Sequence, residues 1–106
     1  MIGIDIVDTQ RIKKLFEKKG EKFLDRILSQ EEKDYVLKKK RFVESISGIF
    51  AAKEAFMKAI KKKVPFTKIR IVHEDGKPCI LYENLLYKNV SISHEKNYAV
   101  SVVIVP

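Results

Sequence analysis

The longest periodic pattern of hydrophobic and polar positions begins at Phe42 and ends at Ile60. Wound as an α-helix at about 100° per residue, this segment has a bulky apolar side, a side of small residues and a narrow polar side. The apolar side consists of Phe42, Ile46, Ile49, Phe50, Met57 and Ile60, the small side of Gly48, Ala51, Ala55 and Ala59, and the polar side of Ser47, Glu54 and Lys58. A helix that is apolar or small over most of its circumference is normally buried. The pattern therefore predicts a buried central helix whose small side allows another backbone to approach closely.

Three charged residues on this helix need a physical explanation. Lys53 falls within the apolar side, where an ammonium group is costly unless it reaches water or finds a partner. Glu54 and Lys58 stand one turn apart, which is the spacing of a surface ion pair that contributes about 0.2–0.5 kcal/mol. On a buried helix, the same polar side would instead face a cleft or another charged element. The pattern leaves both interpretations of Glu54 and Lys58 open.

The segment from Met1 to Val7 alternates in the manner of a β-strand. Its two faces carry Ile2, Ile4 and Ile6 on one side and Gly3, Asp5 and Val7 on the other. Aspartate is depleted inside strands, and the capping role that would explain Asp5 already falls to Asp8 or Thr9. The sequence therefore predicts a functional carboxylate at Asp5.

Three short helices are predicted between this strand and the central helix. The first begins near Arg11 and stops at Gly20, the second follows at once, and the third opens with a capping box at Ser29–Glu32. Beyond Pro65 the period changes to two, which predicts strands at 68–73, 79–82, 90–94 and 98–105, with residues 83–89 irregular or forming one helical turn. The predicted fold class is α+β: one domain over residues 1–106, with a mostly antiparallel sheet packed around one long central helix and short helices in the N-terminal half.

Composition narrows the class of protein and its partners. The 106 residues carry a formal charge of +8, so an acidic partner is expected: a nucleic acid, a membrane surface, an acidic protein or a phosphorylated small molecule. There is no apolar run long enough to cross a bilayer and no signal peptide, which argues against a membrane protein. The single cysteine, Cys79, has no metal-ligand partner nearby and is expected to be a small core residue in a reducing cytoplasm.

Four motifs, in order along the chain, resemble those of the holo-acyl carrier protein synthases, which are 4′-phosphopantetheinyl transferases. They are Gly3–Val7, Gly48 with Phe50–Phe56, Gly76–Pro78, and Ser91–His94 followed by Tyr98–Ala99. The resemblance implies transfer of 4′-phosphopantetheine from coenzyme A to a serine of apo-acyl carrier protein, with release of adenosine 3′,5′-bisphosphate, in fatty acid biosynthesis. It also implies a homotrimer with active sites at subunit interfaces, which the small side of the central helix and the small size of the chain also favour.

The same resemblance assigns roles to individual residues. Asp5 and Glu54 would hold Mg²⁺, Lys58 would reach the diphosphate, and either Glu54 or a metal-bound water would accept the serine proton. The further coenzyme A contacts implied are Lys40, Arg41 and His94, and the basic residues presented to the acidic carrier protein are Arg11, Lys22 and Arg26. For His94, a histidine satisfied by the backbone is the alternative.

The chain departs from the family pattern at three places. Ile49 stands where an arginine commonly precedes the Phe-Ala-Ala run, residues 61–65 replace a glycine-rich turn, and the helix between the last strands is reduced near Leu85. Lys61 and the two lysines after it either supply phosphate-binding charge in place of that turn or merely complement the helix dipole.

Two other classes of function compete with the transferase. A small basic nucleic-acid-binding domain would account for the charge, but such domains carry base-stacking aromatic residues or a groove-reading helix. The strands here carry mainly isoleucine and valine, so we expect no nucleic-acid partner. A non-catalytic scaffold of the same fold would have no need of Asp5, Glu54 and Lys58 together.

Overall fold

The computed structural model describes all residues from Met1 to Pro106. Its helices are α1 (Thr9–Lys19), α2 (Glu21–Ile27), α3 (Gln30–Leu37) and α4 (Phe42–Ile60), with a single 3₁₀ turn at Phe66–Lys68. Its strands are β1 (Ile2–Asp8), β2 (Arg70–Glu74), β3 (Lys77–Tyr82), β4 (Leu85–Tyr87), β5 (Val90–His94) and β6 (Tyr98–Ile104). None of the helices combines the length and the apolar character that crossing a bilayer requires.

The strands form two antiparallel sheets of three strands each, in the orders β1-β6-β5 and β2-β3-β4. The predicted α+β class with one long central helix is confirmed. The prediction for residues 83–89 was wrong, because β4 lies there and pairs with β3. Glu83 and Asn84 both have positive φ, as a two-residue hairpin turn requires. A strand of three residues is too short to show a period in the sequence.

Helix α4 packs its small side against the sheet that begins with β1. A Cβ atom placed on Gly3 would lie only 1.9 Å from the carbonyl oxygen of Ala55, so β1 and α4 touch backbone to backbone. Ala51, Ala55 and Ala59 are all fully buried. The close approach that the small residues allow is thus made within one chain. They are not available for contact between subunits, contrary to our argument for the trimer.

The isoleucine face of β1 is turned away from α4. Ile2, Ile4 and Ile6 are 67%, 58% and 66% exposed, and Tyr98 and Ile104 of β6 are about half exposed beside them. We call these five residues the isoleucine face. The sequence predicted which residues share each face of β1 but not which face is buried.

Helix α1 begins at Thr9, two residues before the predicted start, and ends at the predicted Gly20, and α3 begins at the predicted capping box. Asp8 accepts a hydrogen bond from the backbone N–H of Gln10 and caps α1, and both halves of the capping box between Ser29 and Glu32 are present at α3. One cluster of 22 buried residues joins the helices to both sheets, and Cys79 is buried as expected.

Candidate active site

Strand β1 and helix α4 bring two of the predicted site residues into direct contact. The Lys58 ammonium donates to Oδ1 of Asp5 at 3.0 Å and to the carbonyl oxygen of Ile4 at 3.0 Å. The Asp5 side chain is 14% exposed, whereas that of Lys58 is 55% exposed. Glu54 lies one turn before Lys58 on the same side of α4, half-buried. Asp5, Glu54 and Lys58 therefore share one side of the central helix, open to solvent.

Asp5 and Glu54 are the two carboxylates that this side of α4 offers to a metal ion. The structure contains no group of three or more histidine, cysteine, aspartate or glutamate side chains placed to bind a metal. Magnesium typically takes only one or two carboxylates and completes its shell with waters and substrate phosphates. Glu54 makes no salt bridge, and Asp5 engages only one of its oxygens with Lys58. Asp5 and Glu54 thus have carboxylate oxygens free to bind a metal ion, and a substrate phosphate would bind the same ion.

A cavity of about 530 Å³ opens beside Glu54, between α1, α2, α4 and the 3₁₀ turn. We call it the Glu54 cavity; its lining is Leu15, Lys19, Phe23, Asp25, Arg26, Ile27, Phe50, Glu54, Pro65, Phe66 and Thr67. The rings of Phe50 and Phe66 pack at a tilt with centroids 5.0 Å apart, and the Arg11 guanidinium lies 5.6 Å from the centroid of Phe50. The cavity therefore combines an apolar floor with a rim that carries both signs of charge.

The three residues predicted to meet the carrier protein differ in position. Arg26 lines the Glu54 cavity, and Arg11 lies over its Phe50 wall. Lys22 is exposed on α2 outside the lining. Two of the three thus lie next to Glu54, and the third is on the same short helix as Arg26.

At the other end of α4, a residue that the sequence did not single out contacts His94 and lines a cavity with Lys40 and Arg41. Glu44, in the first turn of α4, lies 3.0 Å from Nδ1 of His94 through its Oε1. Lys40, Arg41 and Glu44 also line a basic cavity of about 240 Å³. The alternative of a histidine satisfied by the backbone does not apply, since the partner of His94 is a carboxylate. No local pattern points to Glu44, because 50 residues separate it from His94.

Ile49, which replaces the family arginine, is buried beside His94. Both line a cleft of about 170 Å³, which His73 also lines. A Cβ on Gly48 would come within 2.9 Å of the Ile92 side chain in this cleft, which explains the glycine of that motif. The site holds no charge at position 49.

Lys61 lies at the far end of α4 from His94 and Arg41. It adopts the left-handed conformation with φ of 56°, and its backbone N–H bonds the last turn of the helix. Lys61 is therefore one turn from Lys58 but far from Lys40, Arg41 and His94, the other residues predicted to contact coenzyme A.

Lys53 finds a buried partner. Its ammonium donates at 2.7 Å to Oε1 of Glu32 and at 2.7 Å to the carbonyl oxygen of Ile27. Burial lowers the pKa of Lys53 below its ordinary value of 10.5, and the Glu32 carboxylate opposes that shift. The sequence indicated that Lys53 needed a partner but not which one, because Glu32 had already been assigned to the capping box of α3.

Comparisons with known proteins show the family of this chain. Residues 1–103 match the sequence model described as the 4′-phosphopantetheinyl transferase superfamily. A holo-[acyl-carrier-protein] synthase of Geobacillus sp. (strain WCH70) is 47% identical, with 98% of this chain and 93% of that protein covered. The corresponding protein of Thermodesulfovibrio yellowstonii is 40% identical over 98% and 96% of the two chains.

Solved structures give the same result. The crystal structure of the Helicobacter pylori holo-[acyl-carrier-protein] synthase in complex with coenzyme A has a TM-score of 0.87 and 36% identity, with both chains covered completely. The synthase of Bacillus anthracis, in complex with CoA (3′,5′-ADP), has a TM-score of 0.82 and 36% identity over 96% and 91% of the chains. As its motifs predicted, the chain belongs to the holo-acyl carrier protein synthases, a family of enzymes within the 4′-phosphopantetheinyl transferase superfamily.

Proposed function

We propose that this chain transfers 4′-phosphopantetheine from coenzyme A to a serine of apo-acyl carrier protein, depends on Mg²⁺ and releases adenosine 3′,5′-bisphosphate, in fatty acid biosynthesis. The observation that carries the proposal is the group formed by Asp5, Glu54 and Lys58 on the open side of α4. Membership of a transferase family favours this function over a nucleic-acid-binding domain. The cytoplasmic location stays a prediction.

The reaction is a phosphoryl transfer that this group is suited to support. The serine Oγ forms a bond to the phosphorus that carries pantetheine, and the bond from that phosphorus to the oxygen of the leaving nucleotide breaks. Such transfers depend chiefly on positioning and on neutralising the phosphate charge. Asp5 and Glu54 would hold Mg²⁺, which supplies part of that neutralisation. Lys58 adds a cation at the diphosphate, and its exposed ammonium can leave Asp5 to do so. Glu54 would accept the serine proton, or a water in the shell of the bound ion would accept it instead.

Coenzyme A is proposed to lie along α4. Lys58 meets the diphosphate, while Lys40 and Arg41 supply charge, and His94 a ring nitrogen, for the nucleotide phosphates near the start of the helix. Lys61, at the opposite end of α4, is proposed as a further contact near Lys58.

The acidic carrier protein is proposed to dock over the Glu54 cavity. Arg11 and Arg26 flank that cavity, and Lys22 extends the basic surface along α2. A chain with a charge of +8 also attracts an acidic partner at long range. Docking there would bring the carrier serine toward Glu54.

The proposal includes a homotrimer with active sites between subunits. Its support is the isoleucine face, because a contiguous exposed apolar surface on a small protein is typical of a subunit interface. Sedimentation should give a trimer, and Ile4→Lys should dissociate it with loss of activity. A wild-type monomer that is active at assay concentration would contradict this part of the proposal.

The transfer itself can be tested directly. The chain is incubated with coenzyme A, Mg²⁺ and an apo-acyl carrier protein, and intact-protein mass spectrometry follows the carrier. We expect the carrier mass to increase by one phosphopantetheine, and no increase after a chelator is added. A carrier whose serine is replaced by alanine is the control. No mass increase on the serine carrier under any of these conditions would refute the proposed function.

A further inference from the structure

The buried contact between Lys53 and Glu32 joins four separate segments of the chain. Both oxygens of Glu32 are used: Oε1 accepts from Lys53 and from the backbone N–H of Ser29, and Oε2 accepts from the backbone N–H of Ile71 at 2.6 Å. Lys53 also donates to the carbonyl oxygen of Ile27. The contact therefore links the end of α2, the start of α3, the middle of α4 and the start of β2.

This network lies directly behind the Glu54 cavity. Lys53 directly precedes Glu54 on α4. The Lys53 side chain is buried in the interior, whereas the Glu54 side chain lines the cavity. Ile27, whose carbonyl oxygen Lys53 holds, follows Arg26, and both residues line the same cavity. The Lys53 ammonium thus ties the α2 rim of the cavity to the turn of α4 that carries Glu54.

Stability alone does not explain an ion pair at this place. Lys53 is fully buried and Glu32 is 3% exposed. Two charges removed from water in this way are often no more stabilising than a well-packed apolar pair of similar volume. Hydrogen bonds, however, have a fixed geometry, so they hold the segments that they join in a single arrangement.

We propose that Lys53 and Glu32 form a positioning pair, which holds α2 against the Glu54 turn of α4 and thereby governs use of the carrier protein rather than of coenzyme A. This inference rests on the proposed function. Neither side chain bonds to Lys40, Arg41, Lys58, Lys61 or His94, the residues proposed to contact coenzyme A. Displacement of reacting groups by about 1 Å can reduce a rate about 100-fold.

The test uses Lys53→Met/Glu32→Gln, which removes both charges and keeps one side-chain oxygen to accept a backbone N–H. Lys53→Met alone is the second variant. Ile46→Val, which shortens a buried side chain of the same helix outside the network, is the control for a general loss of stability. The kinetic constants for carrier protein and for coenzyme A are measured separately, and coenzyme A binding is also measured by calorimetry without carrier.

We expect kcat/KM for the carrier to fall by up to about 100-fold, while the affinity for coenzyme A changes within about twofold, as for sites that share no partner. Hydrogen exchange of the α2 amides should become faster in the variants. The proposal would be overturned by unchanged carrier kinetics in a folded variant, or by a loss of coenzyme A affinity equal to the loss of carrier kcat/KM. The same selective loss for the carrier in Ile46→Val would also overturn it. So would the failure of both network variants to fold, since the pair would then be needed for folding itself. Failure of the proposed function is a different result: the wild-type chain would modify no carrier.

Discussion

Helix α4 carries two lysines, five positions apart, that each bind a carboxylate in opposite surroundings. Lys53 and Glu32 meet at 2.7 Å with side chains 0% and 2% exposed, whereas Lys58 and Asp5 meet at 3.0 Å with side chains 55% and 14% exposed. Glu32 has both oxygens occupied by other parts of the chain, while Asp5 has one oxygen free of any side-chain partner.

The difference shows how one helix can hold a structural contact and a reactive one. A buried charge that loses its partner cannot turn to water, so the Lys53 pair cannot exchange. An exposed ion pair contributes little to stability and separates easily. Lys58 can therefore release Asp5 to a metal ion and move to a phosphate, while Lys53 keeps the surrounding segments in place.

The largest effect is expected at the exposed site, where Asp5 and Glu54 are proposed to bind the metal ion. Asp5→Asn and Glu54→Gln should each reduce phosphopantetheine transfer by at least about 1,000-fold, because each removes a carboxylate from the proposed magnesium site and several kcal/mol of charge stabilisation with it. Transfer rates at saturating Mg²⁺ are the measurement. Glu17→Gln, on the exposed surface of α1, should behave as wild type. Full activity in either site variant, with circular dichroism showing a native fold, would remove the metal assignment.

The second prediction compares the two lysines in the same experiment. Lys53→Met should lower the free energy of unfolding by about 3–5 kcal/mol, since it leaves the Glu32 charge buried without its cation. Lys58→Met should change it by no more than about 1 kcal/mol, because the Lys58 pair is exposed. Denaturant unfolding measures both. Equal losses would mean that burial does not distinguish the two pairs.

The third prediction concerns the exposed charges at the rim of the Glu54 cavity. Arg11→Glu or Arg26→Glu should raise KM for the carrier about tenfold, since a rim charge of the wrong sign weakens docking by about 1.4 kcal/mol. KM for coenzyme A should hardly move, and wild-type association should weaken with added salt. Lys88→Glu is the control, as Lys88 lies exposed outside the cavity lining. Equal changes for both substrates would assign these arginines another role.

A smaller effect is expected just after the C-terminal end of α4, where three consecutive lysines are exposed. If one of Lys61, Lys62 or Lys63 replaces the missing glycine turn, its change to glutamine should weaken coenzyme A binding measured by calorimetry. A loss that is absent for 3′-dephospho-coenzyme A would place that lysine at the 3′-phosphate, and equal losses would place it at the diphosphate. Unaltered binding in all three variants would mean that these lysines only complement the helix dipole.

The smallest effect is the pH dependence of the buried pair. The pKa of Lys53 is lowered in the folded chain, so the unfolded chain binds this proton more tightly. The free energy of unfolding should therefore rise with pH between the lowered pKa and 10.5, and this contribution is lost as pH falls through the folded-state pKa. Unfolding curves across that window should show the rise in wild type and Lys58→Met but a weaker one in Lys53→Met. An unchanged slope in Lys53→Met would assign the rise to other groups.

Local patterns in the sequence determined much of this protein. The apolar period of α4, the capping box at Ser29–Glu32 and the alternation of β1 each depend on residues a few positions apart, where backbone geometry fixes which side chains share a face. The same reasoning identified Asp5, an aspartate inside a strand, and Lys53, a lysine on an apolar side. Both are inconsistencies that local propensity cannot explain.

Only the tertiary structure decided how these inconsistencies were resolved. The partner of Lys53 is 21 residues away, that of Lys58 is 53 residues away, and Glu44 meets His94 across 50 residues. Whether the isoleucines of β1 face α4 or solvent likewise depended on the fit of Gly3 against Ala55. A sequence period specifies a face but not what will cover it, because that choice is made by all the packed elements together.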